Sequence, residues 1–155
     1  MVPALEVYDA SLGDDRLVGI ARFSLRRAAI STTFAYGEAW LAGGQGSYAI
    51  DPALPLMAGS QHCSGLPGAF RDCSPDRWGR TLIKREVRED ALQRDLPLHQ
   101  LDDVDFLIGV FDQTREGALR FCEPGGDFLA TSSPVPPIVQ LPALLHASHD
   151  VARDD

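Results

Sequence analysis

Gly65-Leu66-Pro67-Gly68-Ala69-Phe70-Arg71-Asp72-Cys73-Ser74-Pro75-Asp76-Arg77-Trp78-Gly79-Arg80 reads as a turn, a short segment mixing apolar and charged residues, and then the start of a helix. Pro67-Gly68 punctuates the chain before the helix. Ser74 can cap it, because a serine hydroxyl accepts a hydrogen bond from an unpaired amide of the first turn. Pro75 suits the first helical position, where no amide hydrogen is needed and φ is already set. Asp76 adds negative charge where the helix dipole is positive. Trp78, Gly79, Leu82 and Ile83 are then expected on one side, with Gly79 admitting a neighbouring backbone. The helix should run from about Pro75 toward Gln93 and stop before Pro97, since a residue preceding proline avoids the α region.

The other face of this helix carries Arg77, Arg80, Lys84 and Arg88 at helical spacing. Two uses fit such a stripe. It can contact phosphate or an acidic partner, or it can be a solvated face balanced by Glu86, Glu89 and Asp90. Glu86 and Asp90 are assigned to the side shared by Trp78 and Ile83, so the helix is expected to leave the core after two or three turns.

Upstream, Leu5-Glu6-Val7-Tyr8 and Leu17 to Leu25 alternate as strands do, with a turn over Asp9 to Asp15. Thr32 to Tyr36 is a third strand by its β-branched and aromatic content. Glu38 to Ala42 suits a short helical turn carrying Trp40. Gly43-Gly44-Gln45-Gly46 is a plain loop. It lacks the Gly-Lys-Ser/Thr ending of a phosphate loop, and the chain's only lysine is Lys84. Asp51 to Gly59 is extended and too proline-broken for a central strand.

Downstream, Leu101 to Phe111 suits a second helix with Val104, Leu107, Ile108 and Phe111 as its apolar stripe. Gly117 to Cys122 is a strand, and Phe128 to Ala130 can pair back on it as a hairpin. Ser132 to Pro137 is a proline-rich connector. Leu141 to Ala152 suits a last helix, followed by an acidic end that frays. The implied fold is α+β: an antiparallel, partly curled sheet packed against about three helices, starting at Pro75, Leu101 and Leu141. Residues 1–140 form one module, and residues 141–155 form the C-terminal helix and acidic end.

The length of 155 residues suits one domain with a modest core. A formal net charge of −8 sets the surface against direct binding of nucleic acid or anionic lipid. No apolar run approaches the roughly 20 residues needed to cross a bilayer. Nothing at the N-terminus reads as an export signal. Cys63, Cys73 and Cys122 are odd in number and lack C-x-x-C spacing, which fits free thiols in a reducing cytoplasm.

Few residues offer chemistry. His62, His99, His146 and His149 are scattered, and the last two lack the glutamate of an H-E-x-x-H zinc motif. Cys63 beside His62 is not a dyad, since neighbours along a strand point apart. Asp72 and Asp76 fit capping or pairing with Arg71, Arg77 or Arg80 better than an acid–base pair.

Four ordered segments carry a resemblance. They are Phe34-Ala35-Tyr36 with Trp40-Leu41, Asp51-Pro52-Ala53-Leu54-Pro55-Leu56, the Phe70 to Arg80 stretch, and Gln113-Thr114-Arg115-Glu116-Gly117-Ala118-Leu119-Arg120-Phe121. Together they resemble the N-terminal portion of HipA-type serine/threonine kinases, the toxins of bacterial toxin–antitoxin pairs. Cys73-Ser74 stands where that pattern often has two leucines. The resemblance implies that the phosphate-binding loop, catalytic aspartate and metal ligands of the kinase lie in a core beyond this region. No catalytic, cofactor-binding or metal-binding residue is therefore assigned here, and no cofactor is expected.

It further implies a non-catalytic module that binds a HipA- or HipT-like kinase core, as a stand-alone HipS-type antitoxin or a regulatory subunit. The alternative is a piece of a HipA-type kinase whose core is missing from this chain. A HipB-like repressor would supply any DNA contact. Leu66, Phe70, Asp76, Arg77, Trp78 and Arg80 are the candidate partner-binding residues. Core packing is the competing use of Leu66, Phe70 and Trp78.

Overall fold

Alternating burial builds the sheet. In β1 (Ala4–Asp9), Leu5, Val7 and Asp9 turn inward and their neighbours lie half-buried. β2 (Arg16–Arg26) and β3 (Ala29–Tyr36) add Val18, Ala21, Phe23, Thr32, Phe34 and Tyr36 to the same buried layer. The computed structural model describes residues 4–129, apart from residues 28, 44, 45, 99, 113 and 114. The expectations for His99, for Gln113-Thr114, and for everything after Leu129 lie outside the described residues. These include the 132–137 connector, the 141–152 helix, His146 and His149.

The remaining elements are α1 (Glu38–Leu41), β4 (Ser60–Ser64), α2 (Gly68–Asp72), α3 (Arg77–Gln93), α4 (Asp103–Gly109) and β5 (Leu119–Cys122). The sheet is open, in the order β4-β3-β2-β1-β5, and every neighbouring pair is antiparallel. The fold is α+β, as expected. The 117–122 strand forms β5 on the free side of β1. Phe128 bridges back to Cys122, and the Leu129 amide donates to the Phe121 carbonyl at 2.9 Å. β4 is an addition that the side-chain pattern does not announce. Where β2 passes β3, only glycine fits at position 19: a Cβ there would lie 2.2 Å from the Ala35 carbonyl oxygen.

Residues 48–54 are pinned to this sheet by aromatic side chains. The Tyr36 hydroxyl donates to the Leu54 carbonyl at 2.6 Å and accepts from the Ile50 amide at 3.1 Å. The Trp40 indole donates to the Tyr48 carbonyl at 3.1 Å. The Arg16 guanidinium stacks 4.5 Å from the Trp40 ring centroid.

Phe70, fully buried on α2, sits among Phe34, Phe121 and Phe23 with ring centroids 6.1, 5.2 and 6.4 Å away, all edge-on. Edge-to-face packing of this kind adds to the stabilisation from burial. The helix start expected at Ser74-Pro75 is corrected here. Residues 68–72 form their own helix, and the Ser74 hydroxyl donates to the Phe70 carbonyl at 3.0 Å, closing α2. Asp76 caps α3 instead, accepting from the Gly79 amide at 2.7 Å. Aspartate caps as well as serine, and Ser74 is already committed elsewhere.

α4 begins with a reciprocal cap. Asp102 accepts from the amides of Val104 and Asp105, while the Asp105 carboxylate accepts from the Asp102 amide. Val104, Phe106 and Leu107 are its buried residues.

Candidate partner-binding face

α3 touches the body of the domain along one narrow line. Ile83 and Ala91 are its buried residues, and Ile83 packs close to Gly109 of α4. Ala91 lies in the last turn, so the helix does not leave the body after two or three turns as the carboxylate placement suggests. Arg80 fastens the near side. Its guanidinium pairs with Asp103 at 2.8 Å, stacks 4.7 Å from the Phe106 centroid, and its Nε donates to the Pro75 carbonyl at 3.3 Å.

Trp78 and Ile83 do not share a side. Five residues advance the helix by 500°, leaving the two about 140° apart. With Ile83 facing inward, Trp78 faces away from the domain and is 61% exposed. Leu92, fourteen residues later and near the same line, is 69% exposed. Between them lies the exposed pair Arg85–Glu89, at 2.9 Å. The outward face of α3 is thus apolar at both ends with a charged pair between.

The six candidate residues divide. Leu66 and Phe70 are buried in the core and support the α2–α3 corner from beneath. Asp76 is spent on the helix cap, and Arg80 holds α3 to α4. Arg77 and Trp78 are exposed side by side in the first turn. Leu92 is not among the six, although its helical spacing from Trp78 marks it in the sequence.

The corner itself is held by Arg115, which is only 9% exposed. Its guanidinium donates to the carbonyls of Cys73 (3.2 Å), Leu107 (3.0 Å) and Val110 (3.0 Å) and stacks 4.9 Å from the Phe121 centroid. One side chain thereby joins the end of α2, the end of α4 and β5. Burial lowers its pKa from the usual arginine value, opposed by Cys73 and Asp112.

Among the described residues, no three His, Cys, Asp or Glu side chains come together as a metal site would require. The three cysteines are free thiols. Burial pushes the thiols of Cys63 and Cys73 up. Cys122 is pushed up to about 11 by burial and by the Glu6 carboxylate. Raised thiol pKa values make poor nucleophiles. His62 contacts the Thr33 hydroxyl through Nδ1 at 2.9 Å on the exposed side of β3–β4. No described helix is long and apolar enough to cross a membrane.

No curated protein and no solved structure matches the chain. The family model for the HipA N-terminal domain matches residues 12–121, from the β1–β2 turn into β5. That span takes in the aromatic strand β3, the Asp51 turn, the α2–α3 corner and Arg115. The chain belongs to the HipA N-terminal domain family.

Proposed function

We propose that this chain is a non-catalytic module of a toxin–antitoxin kinase. It docks on a HipA- or HipT-like kinase core through the outward face of α3, as an antitoxin-like or regulatory subunit. The observation that carries this reading is Trp78, 61% exposed on a helix whose start is fixed by the Asp76 cap. A tryptophan held on a rigid element offers a large apolar surface at low entropic cost, and such residues dominate binding energy at interfaces. Arg77 stands beside it as a rim contact. Leu66, Phe70 and Arg115 set the angle of the corner from behind. A HipB-like repressor would reach DNA on behalf of the assembly.

The family assignment favours one second reading, in which the same face packs against a kinase core of its own polypeptide. Both readings place Trp78 at that contact. They differ in whether adding this chain restrains the ATP turnover of the core or is required for it.

The test is co-purification with a HipA-type kinase core. The Trp78→Ala chain should keep its melting temperature and bind at least about tenfold more weakly, the loss expected of an interface anchor. Equal binding by the two chains removes Trp78 from the interface.

A further inference from the structure

We infer that the surface α3 is shaped to meet is acidic: a protein face with an apolar socket for Trp78, rimmed by carboxylates. The inference rests on the reading of α3 as the docking face. At 100° per residue, Arg77, Lys84 and Arg88 fall within about 40° of one another and form a straight ridge. From Arg77 to Arg88 the ridge climbs about 16 Å of helix at 1.5 Å per residue. It borders Leu92 on the side away from Glu86, with Trp78 about a quarter turn further round.

All three ridge side chains are exposed. None forms an ion pair with any described residue, whereas Arg80, Arg85 and Arg94 are each matched, to Asp103, Glu89 and Asp90. Lys84 alone has a partner of another kind, lying 5.6 Å from the Phe106 centroid. Arg22, Arg26, Arg27 and Arg71 are likewise exposed without an ion pair to any described residue, but in a chain of net charge −8 the α3 ridge sets three such cations in a line beside exposed Trp78 and Leu92 on one helix. Complementary charge at a rim steers encounter and fixes register, while the aromatic anchor holds the complex. A long polyanion does not fit as well. A duplex or an anionic bilayer extends well past a ridge of about 16 Å and meets the negative remainder of the domain.

Association of the full chain with the HipA-type kinase core should be followed at about 50 and 300 mM salt, which brackets strong and weak screening. Wild type should associate more slowly at high salt. The Arg77→Glu, Lys84→Glu, Arg88→Glu triple variant should associate about tenfold or more slowly at low salt and show little salt response. The corresponding triple glutamine variant should fall between, and stands in if the glutamate chain does not fold. Wild-type kinetics and salt response in the triple variants, with Trp78→Ala still weakened, would overturn the acidic face and leave the docking reading intact. No binding by wild type would end both. Retardation of duplex DNA, or pelleting with phosphatidylserine vesicles, by wild type but not by the triple variant would overturn it in favour of a polyanion.

Discussion

The carboxylate of Asp51 accepts a 2.8 Å hydrogen bond from the backbone amide of Ala69, eighteen residues away. Its other oxygen accepts from the Ala53 amide at 2.7 Å, and the residue is 6% exposed. One buried side chain thus closes the 51–54 turn and holds the Ala69 amide in the first turn of α2. Gly68 belongs to the same arrangement: a Cβ there would lie 2.9 Å from the Asp51 carboxylate. Asp51→Ala should orphan the Ala69 amide and leave the exposed Ala53 amide to water, at a cost of about 1–3 kcal/mol, that of one unsatisfied donor. The urea midpoint should fall with little change in slope.

Arg115 should be still less replaceable. Arg115→Ala leaves the carbonyls of Cys73, Leu107 and Val110 without their donors, at about 1 kcal/mol or more each. A loss of at least about 3 kcal/mol is expected. Arg115→Lys keeps the charge but not the planar fork that reaches three carbonyls, so it should recover less than half of the loss. Chemical denaturation of the three chains measures both effects. Full recovery by lysine would show that charge matters here and the fork does not.

Gly19 and Gly37 offer a paired comparison. A Cβ at Gly19 meets the Ala35 carbonyl oxygen at 2.2 Å and the Phe34 ring at 2.8 Å, whereas one at Gly37 meets nothing nearer than 3.7 Å. Gly19→Ala must push two paired strands apart and should cost about 2–3 kcal/mol or prevent folding, as overpacking does. Gly37→Ala should stay within about 1 kcal/mol of wild type, the usual cost of alanine at a helix N-cap. Melting temperatures of the two variants provide the check.

Alkaline pH should loosen the β1–β5 edge. The Tyr8 hydroxyl donates to Glu6 at 2.9 Å, and the Cys122 thiol to the same oxygen at 3.5 Å. The hydrogen bond to Glu6 leads in pushing Tyr8 up to about 12, and burial leads in pushing Cys122 up to about 11. Both groups hold their protons to higher pH folded than unfolded, where they titrate near 10.0 and 9.0. The stabilisation is complete below about pH 9 and is lost as pH climbs through 11 and 12. Urea midpoints from pH 8 to 11 should therefore fall, and fall less steeply for a Tyr8→Phe, Cys122→Ala chain.

The first three strands are legible because burial and sequence alternate together in them, Leu5 and Val7 against Glu6 and Tyr8. β4 is not: Ser60-Gln61-His62-Cys63-Ser64 joins the edge through backbone pairing with β3 and has no apolar alternation to betray it. The start of α3 offers two good caps in three residues, and only the position of the Phe70 carbonyl decides between them. The outward turn of Trp78 follows from simple helical arithmetic once Ile83 is known to be buried. Arg115 carries no such signal. Its partners are carbonyls from three segments, and a carbonyl looks the same at every position.

β1 lies between β2 and β5, and Glu6 sits opposite Cys122, 116 positions further along. A ribosome making this protein releases β1 more than a hundred residues before its second neighbour. At about 5–20 residues per second, the far edge of β1 stays bare for roughly 6–25 s until β5 is made. An uncovered strand edge is a template for wrong pairing, so the nascent chain is open to misassembly throughout the interval between β1 and β5.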